Sequence, residues 1–323
     1  MATAATPFYQ SGILGRVDRW LHAMPHPPLV VEVARDHVAA ARWGNVRGQL
    51  EQVAVESLPA GSVMPSTVET NITQPEAVRS ALLRVFSRVP DRGAPVTLLV
   101  PDPVVRVFIL PFDTLPRRAN DALPLLRWRL KKSVPFDVDE TVVSWMRQKG
   151  REANLEVITA MARRPIIREY EEIVESVGAH AGVVLSSTLA TLPLLEERGT
   201  TLLARLCGRT LTTAIVYGPN LCVYRSTEMP AEAALLDPQA MLDEVFPAVA
   251  YYQDTWGASI DRARLTGFGE RKEVFGAALA GELKISVAPL SDAEGARDLD
   301  TPAKDLIHHG LDALAGWMLN GKS

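Results

Sequence analysis

Two three-stranded meanders, one opening each half of the chain, constrain this sequence most. In the 323-residue chain, short β-type runs fall at 29–34, 37–43 and 49–57, and again at 201–207, 211–217 and 221–227. After each meander, helix and strand patterns alternate. In the first half a helix reads over 73–89, capped by Thr73, with Val78, Leu82, Val85 and Phe86 as its buried stripe. The continuous apolar run 95–101 follows as a buried strand. Further strands read at 104–112, 141–148, 154–162 and 182–186, with helices at 117–132, 166–177 and 188–197. In the second half a helix over 238–256 leads to strands at 263–267 and 284–290 and helices at 271–281 and 304–318. The order repeats without letter-by-letter similarity, as expected of a duplicated βββαβα unit with mixed sheets and helices on their faces.

Composition narrows the class. Apolar residues make up 47% and charged residues 22%, as in a globular protein with a substantial core. The net charge of −4 gives no general attraction for nucleic acid. Cys207 and Cys222 offer neither a disulfide framework nor metal-ligand spacing. No apolar run approaches the roughly 18–20 residues that span a bilayer. The N-terminus lacks a secretory pattern, so a cytoplasmic protein is expected.

The chain divides into an N-terminal amphipathic extension (1–27), a first lobe (28–198) and a second lobe (199–323). In the extension, Ile13, Val17, Trp20, Leu21 and Met24 form one apolar helical face before "PHPPL" stops it. The first lobe carries an inserted small subdomain at about 104–162. Its basic helix holds Arg117, Arg118, Arg127, Arg129, Lys131 and Lys132, and "SVPFDVDE" then turns acidic. No aromatic residues interleave there as a base-stacking platform requires. The six histidines are scattered, and Ser186–Ser187 belong to no nucleophile motif.

Four stretches together resemble the PilM-like type IV pilus assembly proteins of the actin-like ATPase superfamily. They are "LRWRLKKSVPFDVDE" (126–140), "VITAMARRPIIREYEEIVESVGAHAGVV" (157–184), "GRTLTTAIVYGPNLCVYRSTEMP" (208–230) and "VAYYQDTWGASIDRARLTGFGERKEVFGAALAGELKISV" (249–287). By order of elements the resemblance covers about 28–320. It implies an actin-like (ribonuclease H-like) fold of two lobes, with an ATP cleft between them.

The resemblance also locates a nucleotide site and its departures. The first hairpin would bring an Asp and a Gly to phosphate and metal; Glu32 and Ala34 stand there, with Arg35 in the turn. The second hairpin keeps Gly208 and Thr212, but Leu206 stands where an acid is usual. At the adenosine end Gly267 and Gly269 remain. The segment 226–245 leaves no room for the subdomain that roofs the cleft in that family. These departures point to a remnant site, with no cofactor bound; a live ATPase using ATP and magnesium through Glu32 is the open alternative.

The resemblance implies one partner, the cytoplasmic peptide of a PilN-like inner-membrane protein, seated in a groove beside the small subdomain. Trp128, Val134, Pro135 and Phe136 are the candidate wall, unless Val134 and Phe136 anchor the subdomain's own core. The expected role is a cytoplasmic scaffold of the type IV pilus assembly complex, held peripherally at the inner membrane through its partner, among other pilus machinery proteins. A homo-oligomer stays open. A type II secretion platform protein is a further alternative, though such proteins usually continue into a membrane helix and this sequence ends at "WMLNGKS".

Overall fold

The computed structural model describes residues 27–44, 46–90, 93–150 and 154–319. The expected amphipathic helix at 10–24 lies outside them.

Among the described residues there are two five-stranded sheets of matching design. The first contains β1 (Leu29–Val33), β2 (His37–Trp43), β3 (Leu50–Ser57), β4 (Val96–Val100) and β8 (Ala181–Ser186), ordered β3-β2-β1-β4-β8. The second contains β9 (Thr200–Cys207), β10 (Thr210–Tyr217), β11 (Asn220–Glu228), β12 (Arg262–Thr266) and β13 (Ser286–Pro289), ordered β11-β10-β9-β12-β13. In each, the meander is antiparallel and the last two strands join in parallel. Parallel strands need crossovers, and helices supply them. These are α1 (Pro75–Arg88) and α3 (Arg164–Glu175) in the first half, and α5 (Pro238–Trp256) and α6 (Lys272–Leu283) in the second.

Strand alternation sorts the side chains into three layers of core. Leu29, Val31 and Val33 of β1 pack under α1 and α3. Leu202, Ala204 and Leu206 of β9 pack under α5 and α6, beside Phe268 and Phe275. The alternate residues, Val30 of β1 and Leu203 of β9, face a shared middle layer. The helices α4 (Ser187–Thr191), α7 (Thr301–His308) and α8 (Asp312–Met318) fill that layer. Both lobes are thus welded to one core, and each central strand is covered on both faces.

A third sheet, β5-β7-β6, interrupts the first half between β4 and α3. Its strands are β5 (Arg106–Phe112), β6 (Thr141–Lys149) and β7 (Leu155–Arg163). The helix α2 (Ala119–Leu130) covers it through Ala122, Leu126 and Leu130.

Several elements differ from the sequence reading for local reasons. Thr73 does not cap α1; its hydroxyl donates to the Ser62 carbonyl at 3.1 Å, and Pro75 begins the helix. The expected helix at 188–197 closes early, because Pro193 tightens Leu192–Leu194 into a 3-10 turn. The closing helix is two helices, parted at Gly310 with φ 76°. Between β11 and α5, residues 229–237 contain no strand.

The crossing of α4 with α8 depends on Gly316. A Cβ there would meet the Ala190 carbonyl oxygen at 2.2 Å. Gly316→Ala is therefore expected to lose about 2 kcal/mol or more of stability by overpacking, read as a lower urea midpoint at unchanged m-value.

Candidate functional site

Glu32 and Arg205 occupy matching stations in the two halves. Each is the last residue of its central strand to pair with the following parallel strand, Glu32 with Leu99 and Arg205 with Thr266. Alternation turns both into the middle layer, where they face each other. The Arg205 guanidinium is buried, with 2% of its side chain exposed. Its Nε donates to Asp312 Oδ2 at 2.6 Å, Nη1 lies 3.7 Å from Asp102 Oδ2, and Nη2 lies 3.9 Å from Glu32 Oε1.

Each carboxylate is further engaged. Asp102, just past β4, accepts the Thr188 backbone N–H at 2.9 Å and its hydroxyl at 2.5 Å. It also accepts the hydroxyls of Thr212 at 2.7 Å and Tyr224 at 3.1 Å. Asp312, which opens α8, accepts from Thr191 at 2.7 Å and Thr266 at 3.3 Å. Glu32 Oε1 accepts from Ser187 at 2.7 Å, while Oε2 has no hydrogen bond and lies 3.9 Å from His37 Nε2. The donors and acceptors come from both lobes, so the cluster is a buried polar seam between them.

The charges are mutually fixed. Burial favours the neutral Glu32 carboxyl, but His37, Arg205 and Ser187 outweigh it and hold its pKa below the ordinary value. Burial opposes charge on Arg205, yet Asp312, Cys207, Asp102 and Glu32 raise its pKa well above the usual range. His37 is raised to about 10: burial lowers it, and Asp36 and Glu32 more than reverse that.

Comparison with solved structures gives the same architecture. A PilM-PilN type IV pilus biogenesis complex matches with TM-score 0.71 and 15% identity, covering 91% of this chain and 99% of that one. The chain has the actin-like ATPase fold. A protein of that fold and unknown function from Bacteroides thetaiotaomicron matches at TM-score 0.50 and 11% identity, over 89% of this chain and 96% of that one. Neither a family model nor a curated protein matches the sequence.

Within the actin-like fold, the two hairpins meet tip to tip. The Arg35 side chain crosses from the first to the second, 3.4 Å from Glu228, and packs against Gly208. The structure therefore gathers Glu32, Arg35, Gly208 and Thr212 along one seam. Thr212 is wholly buried and spends its hydroxyl on Asp102. Gly267 has a local reason to be glycine: φ is +83°, and a Cβ would sit 1.7 Å from the Leu206 carbonyl oxygen. Gly269 opens a 3-10 turn at the surface. Leu206 faces the outer core, so the cleft-facing residue beside it is Arg205.

Arg205, Asp102 and Asp312 were not singled out from the sequence. Asp102 sits in "VPDPVV" and Asp312 in "GLDALAG", where each reads as a turn or helix-start residue. Counting alternation back from the Gly208 turn would have turned Arg205 inward.

Of the other candidates, Trp128 is 73% exposed on α2. Pro135 is exposed, while Val134 and Phe136 are half-buried against Leu130, Val138 and Met161.

The His37 shift has a signed consequence. A raised folded-state pKa contributes stability that is complete below the unfolded value of 6.5 and is lost as pH rises through about 10. The urea midpoint is expected to fall from about pH 7 towards pH 10, and His37→Gln is expected to flatten that slope.

Proposed function

We propose that this chain is a cytoplasmic scaffold of a type IV pilus assembly complex, which seats an extended peptide of a PilN-like inner-membrane protein. The observation that carries the reading is the likeness to a PilM-PilN complex over nearly the whole length of both chains. On this reading the protein lies at the inner membrane through its partner. No helix among the described residues is long and apolar enough to cross a membrane.

The peptide's seat is the cleft between the small sheet and the first lobe. It is lined by Val105, Val142, Ala160, Ile167, Val184 and Leu189. Strand β6 is a terminal strand of its sheet, and Val142 and Ser144 bring it to the cleft. An added strand there would gain backbone hydrogen bonds, with apolar pockets for alternate side chains. Trp128, Val134, Pro135 and Phe136 remain the second candidate contact set, with Trp128 and Pro135 the two exposed members.

The nucleotide site is, on the same reading, a remnant. A hydrated divalent cation needs free oxygen ligands. Five of the six carboxylate oxygens of Glu32, Asp102 and Asp312 already accept hydrogen bonds from the chain. Arg35 spans the place where phosphates would pass between the hairpins. The residues present do not fit a magnesium nucleotide.

The test is titration of the cytoplasmic peptide of the PilN-like protein from the same genome. Saturable binding is expected, weakened about tenfold or more by Val142→Arg, which puts a desolvated charge into an apolar seat. Binding untouched by that change but lost in Trp128→Ala and Phe136→Ala would move the seat to their patch. No saturable binding would end the scaffold reading. Calorimetry with Mg–ATP is expected to show no binding heat; micromolar binding abolished by Glu32→Ala would make the protein an ATP-binding one.

A further inference from the structure

The seam holds three carboxylates, Glu32, Asp102 and Asp312, and its fully buried cation is a side chain. Arg205 reaches all three: Asp312 directly, and the other two at ion-pair distance. Glu32 and Asp102 belong to the first half of the chain; Arg205 and Asp312 belong to the second. One guanidinium therefore neutralises charge contributed by both lobes.

We infer that Arg205 is a resident cation of the interlobe site, holding the lobes closed without a metal ion or nucleotide. The inference deepens the remnant-site reading above, and it is independent of where a peptide binds. Three facts carry it. First, strand alternation and the matching of the two halves place a basic side chain at the station opposite Glu32, so an acid of one half meets a base of the other. Second, the guanidinium and the surrounding hydroxyls consume the carboxylate oxygens a cation would use. Third, the one oxygen left without a hydrogen bond, Glu32 Oε2, belongs to a side chain only 1% exposed and points towards His37, a second positive group.

The charge count explains why such a cation is needed. Three buried carboxylates without a counter-ion would repel one another and lose their hydration. A divalent cation could offset two of the three charges, but only by displacing hydroxyl donors from Asp102 and Asp312. Arginine offsets one of the three charges with directional N–H groups and a planar fork that tolerates several acids at once, and His37 beside Glu32 offsets a second. Because it is attached to β9, its effective concentration in the seam never falls, and closure no longer reports the presence of a ligand.

The experiment uses the full chain and three proteins: wild type, Arg205→Met and Arg205→Lys. Met keeps most of the length and volume but removes the charge. Thermal midpoints are read in chelator-treated buffer, then with millimolar Mg2+ or Mn2+, each with and without ATP. The wild-type midpoint is expected to stay fixed in every condition. Arg205→Met is expected to drop by on the order of 10 °C and to recover part of that drop with Mn2+ or Mg2+. Arg205→Lys is expected to lose less and to ignore divalent cations. A wild-type midpoint that climbs with Mg–ATP overturns the inference, since a ligand would then still close the site. So does an Arg205→Met protein as stable as wild type. An Arg205→Met protein that stays unfolded with and without cations also overturns it, because Arg205 would then not be doing a cation's work. Peptide binding by the wild type is measured separately, so failure here leaves the scaffold reading to stand or fall on its own titration.

Discussion

The ion cluster around Arg205 is the constraint on which the two-lobed arrangement rests. A buried guanidinium is tolerable only if its donors find acceptors, and these acceptors come from three separate elements. Asp312 fixes where α8 must begin. Asp102 fixes the exit from β4, and through Thr188 it fixes the start of α4. Glu32 and Thr212 fix the relative depth of the two hairpins. Removing one charged partner of such a buried set typically costs about 3–5 kcal/mol, far more than the pair contributes against a well-packed apolar replacement. The cluster therefore adds little to gross stability against an apolar replacement, while its bonds join named residues of one lobe to named residues of the other.

Duplication explains how the cluster came to be spread over both halves. Two copies of the same strand order, packed against a shared layer, put equivalent strand positions opposite one another. Glu32 and Arg205 stand at one such pair of positions, and α4 faces α8 at another. Pseudo-symmetric positions carrying like charges would repel; here the two halves carry opposite charge. The close crossing of α4 and α8 at Gly316 belongs to the same geometry, since a wider separation would pull Asp312 away from Arg205.

Much of the fold could be read from the sequence, because it rests on local signals. Alternation, turn residues and apolar stripes gave both meanders, and the helix 238–256 matches Pro238–Trp256. Boundaries drifted where one residue overrode the pattern, as Pro193 and Gly310 did. The seam was harder to read. Glu32, Arg35, Gly208 and Thr212 were visible because they lie in hairpins with recognisable turns. Asp102 and Asp312 were not, since each sits within two residues of a structure breaker and its partners are 46 to 122 residues away. Arg205 is hidden by one step of strand register: the resemblance points to Leu206, which faces the outer core. A shift of one residue along a strand exchanges the faces entirely, so a site on a strand cannot be assigned until its turn fixes the register.

A seam closed from within changes what the rest of the molecule can be used for. A cleft that opens and shuts with a ligand makes every surface crossing it conditional. If the lobes keep one arrangement, surfaces next to the seam keep one shape, and the open edge of β6 and its apolar cleft can be occupied at any time. Recognition by such a surface depends on side-chain fit and backbone pairing rather than on a cycle. The free energy that a cycling protein spends on reordering its lobes is not drawn from the binding step. In a pre-formed groove an extended segment loses only its own freedom, which suits a short peptide with few side chains to offer. On the remnant-site proposal, the strandless connection 229–237 follows from the same rigidity, since a seam that encloses no ligand needs no subdomain over it.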